Sequence, residues 1–185
     1  MITEDIEKLK EQLQNTPDDF IVLIETTADK YLEVSMAAVK YLAQKNDKGI
    51  VISVNRPYNN LTKMYKNNDI DVSKMFVIDC ISKTQNGHAD DTNVSYMENA
   101  SSLTDISLSI SEKLNNGNNG GFVFFDSIAT MLIHNQPYIF ARFMHSIFTK
   151  MRIKGVGGLL ISIEDKTHKE IRAEIAQLCD KVIKI

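Results

Sequence analysis

Residues 121–163 read GFVFFDSIATMLIHNQPYIFARFMHSIFTKMRIKGVGGLLISI, and this stretch decides the fold. Phe122-Val123-Phe124-Phe125 is apolar without alternation and stops at Asp126, the pattern of a strand buried on both faces. Pro137 suits a helix start, and the spacing predicts a helix to Ile153. Phe140, Phe143, Met144, Ile147, Phe148 and Met151 then line one packed face. Gly155-Val156-Gly157-Gly158 breaks that helix. Leu159 to Ile163 is a second apolar strand. Two such strands joined through a helix form a parallel pair.

The same alternation runs outward to both ends. Toward the C-terminus, a helix over 167–178 precedes a last strand at Lys181-Val182-Ile183. Toward the N-terminus, strands are expected at Phe20–Ile24, Ile50–Val54 and Met75–Ile78, the last ending at Asp79. Helices are expected at 3–14, 28–45, 57–67 and 101–115. Asn46-Asp47-Lys48-Gly49 closes the second of these, and the asparagine- and glycine-rich stretch 115–121 is a turn. The fold class is therefore α/β: a three-layer α/β/α sandwich around a mainly parallel sheet. The exception is a polar loop at 80–100, longer than compact domains usually tolerate. It is mobile, functional or hiding a short strand, for which Asn93–Met97 is the candidate.

The 185 residues suit a single domain, 1–185. Hydrophobic residues make up 43% and charged residues 24%, as in ordinary globular proteins. The net charge of −3 disfavours a surface that coats nucleic acid. Cys80 and Cys179 lie far apart and outside any CxxC pair, so two reduced thiols are expected. The polar N-terminus is no signal peptide, and no run approaches the ~18 apolar residues of a membrane span. A cytoplasmic location is expected.

Open parallel sheets bind ligands beyond the carboxyl ends of their strands. Those ends carry Glu25-Thr26-Thr27, Asn55-Arg56, Asp79, Asp126-Ser127 and Ser162 to Lys166. An aspartate ending an apolar strand, as Asp126 does, has the form of a Walker B residue that holds Mg²⁺ beside phosphates. The plain alternative is that Asp126 or Ser127 caps the next helix, Ile128 to Ile133. Thr26-x-x-Asp29 has capping-box form and would place a carboxylate at the next helix start, satisfying its amides and repelling a phosphate. His88, His134, His145 and His168 show no metal-ligand spacing, and Asp90-Asp91 reads as solvated. Lys150, Arg152 and Lys154 suit a helix C-terminus and lack the aromatic interleaving of a nucleic-acid surface.

From 121 to 185 the chain resembles the RecA superfamily, and within it the KaiC-like and Rad55-like ATPase domains common in archaea. The shared features are the apolar strand ending Asp126-Ser127, the leucine-containing turn, the long helix, the glycine turn, the next apolar strand, and the ending Leu178-Cys179-Asp180-Lys181-Val182-Ile183. The likeness extends more loosely to Gly49–Ser53. It implies a P-loop NTPase-type sheet with a G-x-x-x-x-G-K-[ST] loop after the first strand. That loop would fall at Thr26 to Glu33, with Tyr31 and Leu32 at the Gly-Lys positions, and every signature residue is absent. Glycines let amides approach phosphates and lysine neutralises them. The resemblance also implies an acidic pair after the second strand, where Asn55-Arg56 stands instead.

The leading expectation is a non-catalytic RecA/KaiC-like domain, a pseudo-ATPase with a degenerate Walker A segment. It would act in regulation or protein assembly, through self-association or pairing with an active ATPase. No cofactor is expected. Were a vestigial ATP–Mg site to persist, Thr26, Thr27, Lys30, Asp126 and Ser127 would form it, with Asp126 on the metal. A DNA-associated recombinase paralogue is a further reading. So is a phospho-receiver with Asp79 as acceptor, though Glu25 lacks the acidic neighbour that chemistry needs.

Overall fold

The computed structural model describes residues 2–85, 91–116, 121–164 and 168–185. In chain order the elements are α1 (Ile2–Gln14), β1 (Ile21–Thr26), α2 (Tyr31–Lys45), β2 (Gly49–Ser53), α3 (Tyr58–Asn67), β3 (Met75–Asp79), β4 (Val94–Tyr96), α4 (Leu103–Asn116), β5 (Phe122–Asp126), α5 (Ile128–His134), α6 (Pro137–Ile153), β6 (Gly157–Ile163), α7 (Lys169–Leu178) and β7 (Lys181–Lys184). Short 3-10 turns occupy Val72–Lys74 and Ser82–Gln85.

The strands form one sheet in the order β4-β3-β2-β5-β6-β1-β7, and every pairing is parallel. Two apolar layers sandwich it. On one face Leu9 and Leu13 of α1, Val34 and Ala38 of α2, and Leu61 and Tyr65 of α3 pack on Val51, Phe124 and Ile161. On the other, Ile106 and Ile110 of α4, Met131 of α5, Phe140 and Phe148 of α6, and Ile175 of α7 pack on Ile52, Phe125 and Leu160. A strand covered on both faces has no solvent side to alternate toward, which is why these runs are apolar throughout.

The hidden strand in the polar loop exists: β4 pairs with β3, Ile78 opposite Ser95. His88 and Asp90 lie outside the described residues, as does most of the 115–121 turn. Gly155 adopts the left-handed conformation (φ 62°) that ends α6. Gly157 falls inside β6, and a Cβ there would lie 2.0 Å from the Asp18 carbonyl oxygen, so only glycine admits that close approach. Among the described residues no helix is long and apolar enough to cross a membrane.

Register places the polar strand ends together. Ser53 stands opposite Asp79 on one side and Asp126 on the other. Side chains alternate along a strand, so Thr26, Ser53, Asp79 and Asp126 all follow the residues facing α1, α2 and α3. Ser53, Asp79 and Asp126 make a polar row at the carboxyl edge of the sheet, beneath the starts of α2 and α3, while Thr26 stands opposite Ile163 on the far side of β6.

Candidate functional site

The turn after β1 does not carry the expected cap. α2 starts at Tyr31, not residue 28, and its N-cap is Lys30, in α-conformation and without a side-chain cap bond. Thr26 is still in β1 and fully buried, and its Oγ1 has no partner among the described residues. Asp29 is exposed in the turn, where the nearby Thr27 hydroxyl and its own amide hold its carboxyl below the usual range. The capping-box reading fails because the strand runs one residue into the pattern and removes Thr26 from reach.

Lys30 is held by an ion pair to α1. Its Nζ lies 2.7 Å from Asp5 Oδ2 on α1. Thr27 contributes its carbonyl, which accepts from the Lys30 amide at 3.2 Å. The residue that occupies the site is Tyr31. Its hydroxyl donates to Asp126 Oδ1, and Asn55 Nδ2 donates to the same phenol oxygen at 3.0 Å. Thr130 Oγ1 then donates to Asn55 Oδ1 at 2.7 Å. A chain of four side chains from α2, β5, the β2–α3 connection and α5 thus closes over the strand ends.

Asp126 is 2% exposed. Burial pushes its carboxyl above the usual range, opposed by the Tyr31 hydroxyl and then by the positive charge of Arg56. The Ser35 hydroxyl lies beside the carboxylate but outside hydrogen-bonding geometry. Burial and the Asp126 charge in turn push the Tyr31 phenol up. Asp126 is therefore no helix cap. That role falls to Ser127, whose Oγ accepts from the Thr130 amide at 3.5 Å. The Asp126–Ser127 peptide bond is cis.

Asp79, the receiver-type acceptor considered above, is consumed by the fold. Its carboxylate accepts from the amides of Tyr58 (2.7 Å), Ile81 (2.8 Å) and Ser82 (3.0 Å) and from the Ser82 hydroxyl (2.5 Å). It caps α3 from a neighbouring strand and pins the start of the polar loop. Glu25 pairs with Lys184 of β7 at 3.1 Å. Ser162 is buried, and its hydroxyl has no partner among the described residues. Lys166 lies outside them. Asp91 is not merely solvated: Tyr58 Oη donates to it at 2.5 Å, and this bond chiefly holds its carboxyl low.

The basic trio does not form a free patch either. Lys150 donates to Ser107 and Ser111 of α4 at 2.8 and 2.7 Å, and Arg152 pairs with Asp180 at 3.1 Å. Among the described residues no group of His, Cys, Asp and Glu could hold a metal ion. Burial pushes both thiols, Cys80 and Cys179, up to about 12. Sequence reasoning missed Tyr31 and Thr130. A tyrosine opening a helix is an ordinary core residue by pattern, and only the strand order brings it over Asp126.

Flagellar accessory protein FlaH from Methanocaldococcus jannaschii superposes with a TM-score of 0.62 at 10% identity, covering 91% of this chain and 71% of that one. A KaiC-like protein from Pyrococcus horikoshii OT3 gives 0.62 at 13% identity, with the same coverages of 91% and 71%. This chain has the RecA/KaiC-like fold. An uncharacterized protein from Pyrococcus horikoshii, solved in complex with an unknown peptide, superposes at 0.71 with 13% identity, covering 96% of this chain and 82% of that one. No family model matches the sequence, and neither does any curated protein. At these identities the KaiC-like likeness is one of fold.

Proposed function

We propose that this chain is a non-catalytic RecA/KaiC-like domain, a pseudo-ATPase that works as a protein-assembly or regulatory module. The observation that carries the reading is the Tyr31–Asp126 hydrogen bond. An ATPase of this fold needs the strand-end carboxylate free for magnesium and a lysine free for phosphate. Here the carboxylate is buried under a phenol, and Lys30 is paired with Asp5 on α1. The turn from Glu25 to Leu32 has no glycine through which amides could approach a phosphate. Asn55 accepts from Thr130 and donates to Tyr31, and an amide is no general base at neutral pH. These residues do not fit a magnesium nucleotide.

The assembly half of the reading rests on the surface. Ile133 of α5 is 75% exposed, and Tyr138 and Ile139 at the start of α6 are 69% and 49% exposed. Three large apolar residues this close in sequence, on elements that follow the Asp126 strand end, suit contact with another protein. The peptide bound by the similar Pyrococcus horikoshii protein supports a protein partner for this chain as well.

Light scattering after size exclusion, with pull-down from the native cell, tests the proposal. Assembly or capture that is lost in a Tyr138→Asp/Ile139→Asp variant of unchanged circular dichroism is the expected result. A monomer that captures nothing through this surface would contradict it.

A further inference from the structure

A cavity of about 330 Å³ lies at the opposite edge of the sheet from Asp126. It opens where β2, β3 and β5 begin and where α4 and α6 end. Its floor is apolar: Ile50 and Phe122 are buried, and Phe76 and Leu114 are half-buried. Its lining includes Lys48, Lys74, Lys113 and Lys154, against one acid, Asp47, among the described lining residues.

Local roles account for part of this. Lys113 and Lys154 sit at the ends of α4 and α6, where cations suit the helix dipole. Lys74 Nζ reaches the carbonyls of Ala43 and Asn46 at 3.2 and 3.4 Å. The Lys113 ammonium lies 3.9 Å from the centroid of the Phe76 ring. Those roles do not explain why lysines from four segments converge on one apolar hollow in a chain of net charge −3. Among the described residues, Lys74, Lys113 and Lys154 form no ion pair. A low-dielectric floor strengthens the field of such ammonium groups.

We propose that this cavity binds a compact organic phosphate, an apolar body of about one ring bearing a phosphate group. The volume is at the small end of ligand pockets and suits a small molecule. The body would cover Leu114 and the free part of Phe76, displacing loosely held water. The phosphate would accept charge-assisted hydrogen bonds from Lys113 and Lys154. Because the cavity shares no residue with the Tyr31–Asp126 site, this inference stands or falls apart from the pseudo-ATPase reading.

Calorimetric titration at low salt with phenyl phosphate, inorganic phosphate and benzyl alcohol separates body from charge. Phenyl phosphate should bind at least about tenfold tighter than either fragment, since it alone makes both kinds of contact. Lys154→Gln and Lys113→Gln should each weaken it by about tenfold, the effect of losing one charge-assisted hydrogen bond. Lys63→Gln, on exposed α3 surface, should leave it unchanged. Lys154 is exposed, so its variant keeps the test decisive even if Lys113→Gln disturbs Phe76 packing. Absence of phenyl phosphate binding, equal binding of inorganic phosphate, or indifference to Lys154→Gln would each overturn the proposal.

Discussion

At the residue scale, the Asp126 carboxylate is buried with the Tyr31 phenol as its donor. Burial raises the Asp126 carboxyl, so folding favours its protonated form. The associated stability is fully present below the unfolded value of about 4, and it is lost as pH rises through the folded value. Asp126→Asn removes the charge and keeps an acceptor for Tyr31. Its melting temperature at pH 7 should exceed the parent's, and the gap should shrink as pH falls toward 4. A variant less stable than the parent at neutral pH would show that the carboxylate is a net stabiliser. Tyr31→Phe leaves the carboxylate without its donor and should cost about 1–3 kcal/mol by urea unfolding. That Asp126 matters was legible from the strand ending Phe-Phe-Asp. Its partner was not, because Tyr31 and Asp126 are 95 residues apart and meet only through the placement of α2 over β5.

At the element scale, helix starts depart most from what spacing alone implies. α2 starts three residues late because residues 28–30 form a turn between β1 and the helix. α3 has Pro57 at its N-cap and no side-chain cap of its own, and is capped instead by Asp79 of β3. Such a cap has no local signature, since the acceptor lies 21 residues downstream. Asp79→Ala would strand three buried or half-buried amides and a hydroxyl. It should destabilise the domain by about 3 kcal/mol or more, read as a lowered urea midpoint with unchanged slope. A loss under about 1 kcal/mol would mean that water replaces the carboxylate at the Tyr58 and Ser82 amides. The long helices and central strands, by contrast, were legible because their apolar periods run over many residues. Even β4, three residues long, was visible as the run Asn93–Met97 within a polar loop.

At the scale of the whole molecule, a fully parallel sheet puts every strand's carboxyl end on one edge, which is where this fold holds ligands. In this chain that edge is filled from within by Tyr31, Asn55, Thr130 and the Asp79 caps, while Ile133, Tyr138 and Ile139 on the helices that follow β5 stay exposed. The parallel α/β plan could be read from strand–helix alternation. The strand order could not, because short parallel strands of near-uniform Val, Ile and Phe carry no pairing code. The lysine-lined cavity was invisible for the same reason, since its residues come from separate segments. Calorimetric titration of the protein with ATP and with ADP, each with Mg²⁺, asks whether that edge still takes a nucleotide. The closed Tyr31–Asp126 site predicts no saturable heat with either nucleotide. Low-micromolar binding that disappears in Asp126→Ala would contradict it.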